Sequence, residues 1–521
     1  MNLAMLADRD LEEKGERERL WFEERSYTNR ELHEASLRLA GALKKLGIRP
    51  DDKIVVIMNN CPEVLISYPA IWRVGAVVVP VLHVLEAHEL AYIVKNSRAR
   101  AVITSHDLTA KVLDAVAAAD VGEVGVIAVT EGKAQVEAPV LPFEMLVADS
   151  EPLAQVVERA PEDLAVVLYT SGTTGHPKGV MQTHHNLMAN ASNSWNTAKT
   201  RNPDETTLIA LPLAHTFGLS TLVSGYLFGS RGILMRRFLP QDALKLIERH
   251  KVAVMSGVPT MFVYMLMVPE QFDTSSMRSW IVGAAPMPME HLRRFEARFG
   301  GTMYVGYGLT EASPTIAVER EGEPRKPGST GRPVEGVRVK IVDDNGNERP
   351  RGQIGEICAA GENVTKGYLG MPEATAECFR DGWLHTGDIG FLDEDDYLFV
   401  VERKKDLIIR GGLNVYPKDV EEVLYRHPAV AECAVVGVPD ALMGEQVCAC
   451  VVLKPGLTLS ADVLVHHCQE TLAKYKTPRY VEFLPALPKT TIGKIQKKEL
   501  RKMMSAKYES ALPEVTASAP L

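Results

Sequence analysis

Short apolar runs alternate with stretches of helical apolar spacing through most of this chain, and that alternation constrains its fold more than any other feature. Lys53-Ile-Val-Val-Ile-Met58, Ala76-Val-Val-Val-Pro-Val81, Ala101-Val-Ile-Thr104 and Val124-Gly-Val-Ile-Ala-Val129 form one series. Thr207-Leu-Ile-Ala-Leu211, Gly232-Ile-Leu-Met235, Val252-Ala-Val-Met255 and Trp280-Ile-Val282 form a second. Apolar strand, amphipathic helix, apolar strand is the rhythm of β-α units, which pair their strands in parallel. Near residue 330 the pattern changes. Val337-Arg-Val-Lys-Ile-Val342, the turn-rich Asp343-Asp-Asn-Gly-Asn347 and Gly355-Glu-Ile-Cys358 read as hairpins. From about Asp406 the pattern mixes again. Strands at 435–438 and 448–453 and a helix over 461–474 make a small α+β domain, and the polar tail beyond about Ser505 reads as frayed.

The chain has 521 residues, whereas single cores stop growing at roughly 250–300 residues. Two or more domains are therefore expected. A net charge of −9 argues against a general nucleic-acid binder, which needs a basic field. The first thirty residues carry both charge signs and no apolar run, so they do not read as a signal peptide. The apolar stretch 74–85 is broken by Pro80 and falls short of the about 20 residues a membrane helix needs. It reads as a buried strand, with no integral membrane segment. Seven cysteines are scattered along the chain, and Cys448 and Cys450 share one strand face. No second pair stands at metal-ligand spacing, so they read as reduced core thiols in a cytoplasmic protein.

The segment Tyr169-Thr-Ser-Gly-Thr-Thr-Gly-His-Pro-Lys-Gly179 follows the apolar run 164–168. Ser171, Thr173 and Thr174 supply hydroxyls. Gly172, Gly175 and Gly179 let backbone N–H groups approach an anion, and Lys178 adds a cation. Together they suit a polyphosphate. It is not a Walker loop, because glycine follows the lysine.

In this segment the chain resembles the adenylate-forming superfamily: acyl-CoA synthetases, coumarate-CoA-type ligases, luciferases and peptide-synthetase adenylation domains. Other motifs of that family occur in order. They are Leu211-Pro-Leu-Ala-His-Thr-Phe-Gly218, Tyr307-Gly-Leu-Thr-Glu-Ala312, Gly382-Trp-Leu-His-Thr-Gly-Asp388, Glu402-Arg-Lys-Lys-Asp406 and Pro488-Lys-Thr-Thr-Ile-Gly-Lys-Ile495. The resemblance implies a large N-terminal domain, 1–404, with parallel β-α sheets and a β-rich subdomain. It also implies a small mobile α+β domain, 405–521, hinged at Lys405. The implied reaction is ATP-dependent activation of a carboxylic acid to an acyl-adenylate, then transfer to coenzyme A with release of AMP.

The resemblance also implies roles. Thr310 contacts the α-phosphate, and Glu311 with Thr170 holds Mg²⁺, which favours carboxylate and phosphate oxygens. Tyr307 and Gly308 lie against adenine, with Gly283, Ala284 and Ala285 beneath it. Asp388 and Arg403 reach the ribose. Lys494 bridges the carboxylate and the α-phosphate. Gly411 and Gly412 line the thiol entrance. His215 borders the acyl pocket. The chain departs from the family at Ala214, where an aromatic is frequent, and at Val305, where a polar residue is frequent. A homodimer is expected by analogy.

Amino-acid-activating relatives carry Asp in a Phe-Asp-x-Ser motif to pair with the substrate ammonium. This chain reads Phe217-Gly-Leu-Ser220, and an unpaired buried ammonium is costly. The apolar stretch Ser256-Gly-Val-Pro-Thr-Met-Phe-Val-Tyr264, with Met287 and Met289, favours a fatty or alicyclic acid of medium to long size and a place in fatty acid metabolism. An aromatic acid of benzoate or cinnamate type is the alternative. A nucleotide-binding protein without catalysis would be expected to lack Glu311, Asp388 or Lys494, and all three are present.

Overall fold

The computed structural model describes residues 2–132, 136–170, 177–200, 202, 205–490 and 493–509. The chain forms two compact units. The first comprises Met1–Ala284, Phe295–Lys340 and Cys358–Thr386; the second comprises Ala285–Arg294, Ile341–Ile357 and Gly387–Leu521.

The two apolar series become two sheets of the first unit. One runs in the order Val140–Pro142, Gly125–Val129, Ala99–Ser105, Lys53–Ile57, Val77–Val81, Leu164–Thr170 and Lys178–Thr183. Every pairing is parallel except the last, an antiparallel hairpin. The stretch 74–85 is therefore the buried strand expected of it. Pro80 is tolerated within it because pairing toward Leu164–Thr170 is confined to Val78 and Val166. The second sheet has a parallel centre of Glu18–Phe22, Arg231–Leu234, Thr206–Ile209, Val254–Gly257, Ser279–Val282 and Thr302–Gly308, with antiparallel strands at both edges. Strands covered on both faces by helices are apolar throughout, as Ile54, Val55, Val77, Val78 and Val102, all fully buried, illustrate.

The N-terminus, which carries no apolar run, forms the helix Met5–Lys14. Its Asp8 carboxylate accepts two bonds, at 2.6 and 2.8 Å, from the fully buried Arg73. A buried guanidinium must be paired in this way or it would not stay charged there.

From Arg332–Pro333 to Leu398–Arg403 the regular elements of the described chain are strands, apart from the helix Pro372–Cys378. The last of the divisions between the units, at Thr386 and Gly387, falls inside the strand Trp383–Leu392. In the second unit, Gly444–Leu453 lies between Ile408–Arg410 and Val430–Asp440, and Tyr480–Phe483 pairs with it in parallel. Val420, Leu424, Leu464 and Cys468 pack on one face of this sheet. Cys448 and Cys450 face the other side with Leu500 and Met504, so they are core thiols.

The tail expectation needs correcting. The helix Lys497–Glu509 runs past Ser505, because Leu500 and Met504 bury one stripe of it and Tyr508 stacks on Tyr480 at 3.9 Å. The expected helix over 461–474 is shorter, Ala461–Gln469. No described helix is long and apolar enough to cross a membrane.

Candidate functional site

Each unit gathers its own group of the expected residues. In the first, the hairpin of Leu164–Thr170 and Lys178–Thr183 closes with Thr170 opposite Lys178. The loop between them starts at that mouth; its Ser171, Gly172, Thr173, Thr174 and Gly175 lie outside the described residues. The far edge of Lys178–Thr183 is bonded by the segment 366–369. The Met181 N–H donates to the Gly367 carbonyl at 2.9 Å, and the Leu369 N–H to that of Gly179 at 2.8 Å. Gly367 has φ +119°, and a Cβ there would lie 2.3 Å from the Thr375 side chain. Only glycine fits this crossing. It delivers Tyr368, whose ring centre is 4.9 Å from the Lys178 ammonium and whose hydroxyl donates to Glu311 Oε1 at 2.7 Å. Burial and the Glu311 charge push the Tyr368 hydroxyl far up, so it stays a protonated donor.

Glu311 stands on the tight turn Thr310–Ala312. Buried amides hold its backbone. Gln182 donates to the Thr310 carbonyl at 3.0 Å. Asn363 donates to the carbonyls of Ala312 at 2.9 Å and Thr315 at 2.7 Å. The Thr365 N–H donates to the Glu311 carbonyl at 2.9 Å. With its amide oriented to match its neighbours, Asn190 donates to the Ser313 carbonyl at 2.9 Å and accepts the Thr315 N–H at 2.8 Å. The main chain of the turn is thus held from within the protein. A carboxylate oriented by a phenol that also carries the Lys178 ammonium over its ring fits Mg²⁺, which takes carboxylate and phosphate oxygens.

Gly308 brings the preceding strand against this turn. A Cβ on it would sit 1.9 Å from the Pro314 carbonyl oxygen. Gly308→Ala is expected to destabilise the protein by about 3 kcal/mol or more through this backbone clash. Denaturant midpoints check it, and an unchanged midpoint would refute the close approach.

Tyr307 lies on the same strand, opposite Ala317. Gly283 follows the neighbouring strand Ser279–Val282; a Cβ there would be 3.4 Å from both the Gly306 oxygen and the Phe217 ring. Ala284 takes φ +67°, a conformation unusual for a residue with a side chain. Ala285 falls within the second unit. His215 caps the helix Thr216–Phe228, with its Nδ1 accepting the Phe217 N–H at 3.3 Å. Val305 donates its N–H to the buried Glu319 carboxylate at 2.8 Å. Part of the supposed acyl pocket is core instead. Phe262 is fully buried and meets Trp280 and Phe295 edge-on, at 6.0 and 5.1 Å. Tyr264 is exposed.

In the second unit, Asp388 and Arg403 are cross-strand partners of one hairpin. The Arg403 Nε lies 3.3 Å from the Asp388 carboxylate, and Asp388 is buried. Lys494 sits in a turn closed by Thr490, whose N–H donates to the Lys494 carbonyl at 2.7 Å and whose hydroxyl accepts the Lys494 N–H at 3.1 Å. Its neighbours in the lysine run differ from it. Lys489 pairs with Glu432 at 2.5 Å, and Lys497 with Glu421 and Glu402 at 2.9 and 3.3 Å. Lys494 is half-buried. Burial, and then the nearby Arg403 cation, pull it down to about 8, against the pull of Asp388.

The expected hinge stretch lies within this unit. Lys405 itself is exposed, but its flanks are tied. Glu402 accepts from the Lys418 N–H at 3.2 Å and from Lys497. Lys404 reaches Asp344 at 2.8 Å, and Arg501 reaches Asp406 at 3.2 Å. Gly411 and Gly412 form the two-residue turn between Ile408–Arg410 and Leu413–Val415, with φ +57° and +80°. Positive φ at both positions already favours glycine there, whatever else the turn does.

Sequence reasoning does not find Tyr368, Gln182, Asn190 or Asn363. No local pattern marks them; only the fold brings them to the turn.

The sequence profile of the AMP-binding enzyme family matches residues 7–369, and that of the AMP-binding enzyme C-terminal domain matches residues 419–494. A long-chain-fatty-acid–CoA ligase of Bacillus subtilis is 35% identical over 89% of this chain and 88% of its own. A feruloyl-CoA synthase of Amycolatopsis is 38% identical over 91% and 93%. The crystal structure of the anthranilate CoA ligase AuaEII in complex with anthranoyl-AMP superposes with a TM-score of 0.92 at 30% identity, covering 98% of each chain. The chain therefore belongs to the AMP-binding enzyme family of the adenylate-forming superfamily, as an AMP-forming acid–thiol ligase whose cofactors are ATP, Mg²⁺ and coenzyme A.

Proposed function

We propose that this ligase acts on an apolar carboxylic acid, aliphatic or alicyclic and of medium to long size. The observation carrying this reading is the Phe217 ring, which lies where a Cβ added at Gly283 would meet it at 3.4 Å, in a motif where Gly218 stands in place of an ammonium-binding aspartate. A charged amino acid would find no partner there. The second reading, an aromatic acid, rests on the 38% identity with a feruloyl-CoA synthase.

In either case two anions must meet, since a carboxylate oxygen attacks the α-phosphorus and pyrophosphate leaves. We assign Thr310 and the loop hydroxyls, Ser171, Thr173 and Thr174, to the phosphates, with Lys178. Glu311 and Thr170 would hold Mg²⁺, which supplies charge neutralisation there. Tyr307 and Gly308 are assigned to adenine, and Asp388, oriented by Arg403, to the ribose hydroxyls. Lys494 stabilises the charge that develops between carboxylate and phosphate. The coenzyme A sulfur then attacks the acyl carbonyl carbon and AMP departs. The proposed domain boundary for that second step is 404/405, with Lys405 as the hinge and Gly411 and Gly412 at the thiol entrance.

A panel of acetate, octanoate, palmitate, cyclohexanecarboxylate, benzoate and ferulate tests the reading through pyrophosphate release without coenzyme A and AMP release with it. Octanoate or palmitate should give the highest kcat/KM. A preference for benzoate or ferulate by tenfold would establish the second reading instead.

A further inference from the structure

We propose that Tyr368 is a positioning residue for the metal–phosphate site, holding the Glu311 carboxylate by its hydroxyl and the Lys178 ammonium by its ring. The inference rests on the assignment of Glu311 to Mg²⁺ and Lys178 to phosphate. One buried side chain touches both. Its hydroxyl donates to Glu311 Oε1 at 2.7 Å, and its ring centre lies 4.9 Å from Lys178 Nζ.

Tyr368 is itself held tightly. It is 6% exposed, and its N–H donates to Thr375 Oγ1 at 3.0 Å. Phe379 meets its ring at 6.2 Å, and the Cys378 sulfur lies 3.5 Å from its hydroxyl. Its backbone is pinned to the strand that carries Lys178. A phenol so fixed has little freedom to lose when it orients its partners. It constrains one Glu311 oxygen in the absence of metal, which is preorganisation. The ring face attracts the lysine ammonium without neutralising it, so the cation remains available to an anion. The two charges that a metal–triphosphate needs are thus set from one residue, which lies 57 positions from Glu311 along the chain.

Two substitutions separate the two contacts. Tyr368→Phe keeps the ring and removes the hydroxyl. Tyr368→Leu removes both. The readout is Mn²⁺ binding, followed by water-proton relaxation with a non-hydrolysable ATP analogue, and analogue binding without metal, followed by calorimetry. Tyr368→Phe is expected to weaken Mn²⁺ binding about tenfold, as for a lost hydrogen bond to a charged group, and to leave metal-free binding unchanged. Tyr368→Leu is expected to weaken metal-free binding as well, by about two- to fivefold.

Should Tyr368→Phe fold poorly, Glu311→Asp withdraws the carboxylate from an intact Tyr368 and should show the same tenfold loss. Mn²⁺ binding within twofold of the parent in Tyr368→Phe, or in Glu311→Asp where that variant must stand in for it, overturns the proposal. Glu311→Gln guards the underlying assignment. If it too leaves Mn²⁺ binding intact, the assignment of Glu311 to the metal fails, and the positioning role fails with it. If it abolishes binding while Tyr368→Phe does not, only the positioning role fails.

Discussion

Lys494→Ala is expected to lower acid-dependent pyrophosphate exchange by about 10²–10³-fold, the usual effect of removing one preorganised donor from a charge-developing centre. Transfer from preformed acyl-adenylate to coenzyme A should change little. The contrast arises because Lys494 is assigned to the first step alone. The same lysine makes a pH prediction. Burial first, and Arg403 second, bring it down to about 8. The protonated form is the active one, so adenylation should hold on the acid side and fall as pH rises through about 8. Arg403→Gln removes a like charge and releases Asp388. Both changes favour the ammonium, so the falling limb should move to higher pH. Lys494→Arg should be slower but flat across that range. An exchange rate that stays level to high pH in the parent enzyme would remove Lys494 from this role.

Lys405→Pro should slow thioester formation by about tenfold or more while leaving adenylation within about twofold, because proline fixes φ near −65° and restricts the residue before it. A hinge must change its backbone angles between steps, and proline denies that change. Lys405→Ala, which keeps the backbone free, is the control and should resemble the parent in both half-reactions. The tied flanks sharpen the expectation. With Glu402 bonded to Lys418 and Lys497, Lys404 to Asp344 and Asp406 to Arg501, the exposed Lys405 among them is where rotation can concentrate. Equal losses in the two half-reactions would sink the hinge assignment.

The β-α rhythm is legible because strands covered on both faces must be apolar along their length. The two series of runs became two sheets with only small shifts at their ends. The pairing of Asp388 with Arg403 is less legible. The motifs name both residues, but only the hairpin register sets them side by side. His215 shows the reverse case. Its motif points to the acyl pocket, while its Nδ1 is engaged in capping a helix. Phe262 lies in the stretch read from sequence as acyl pocket, and three-dimensional packing places it in the core.

By itself, the sequence determined the alternating architecture, the family and the residue types that the chemistry needs. These depend on periodicity and on short motifs, which are local along the chain. Tertiary structure alone decided what holds those residues. Tyr368 reaches Glu311 across 57 positions, and Gln182 reaches the Thr310 carbonyl across 128. Contacts at such separations leave no periodic trace in the chain, because they depend on which sheet edges and turns meet once the strands have paired. The phosphate-loop motif names an anion site, whereas the fold supplies the phenol beneath its lysine.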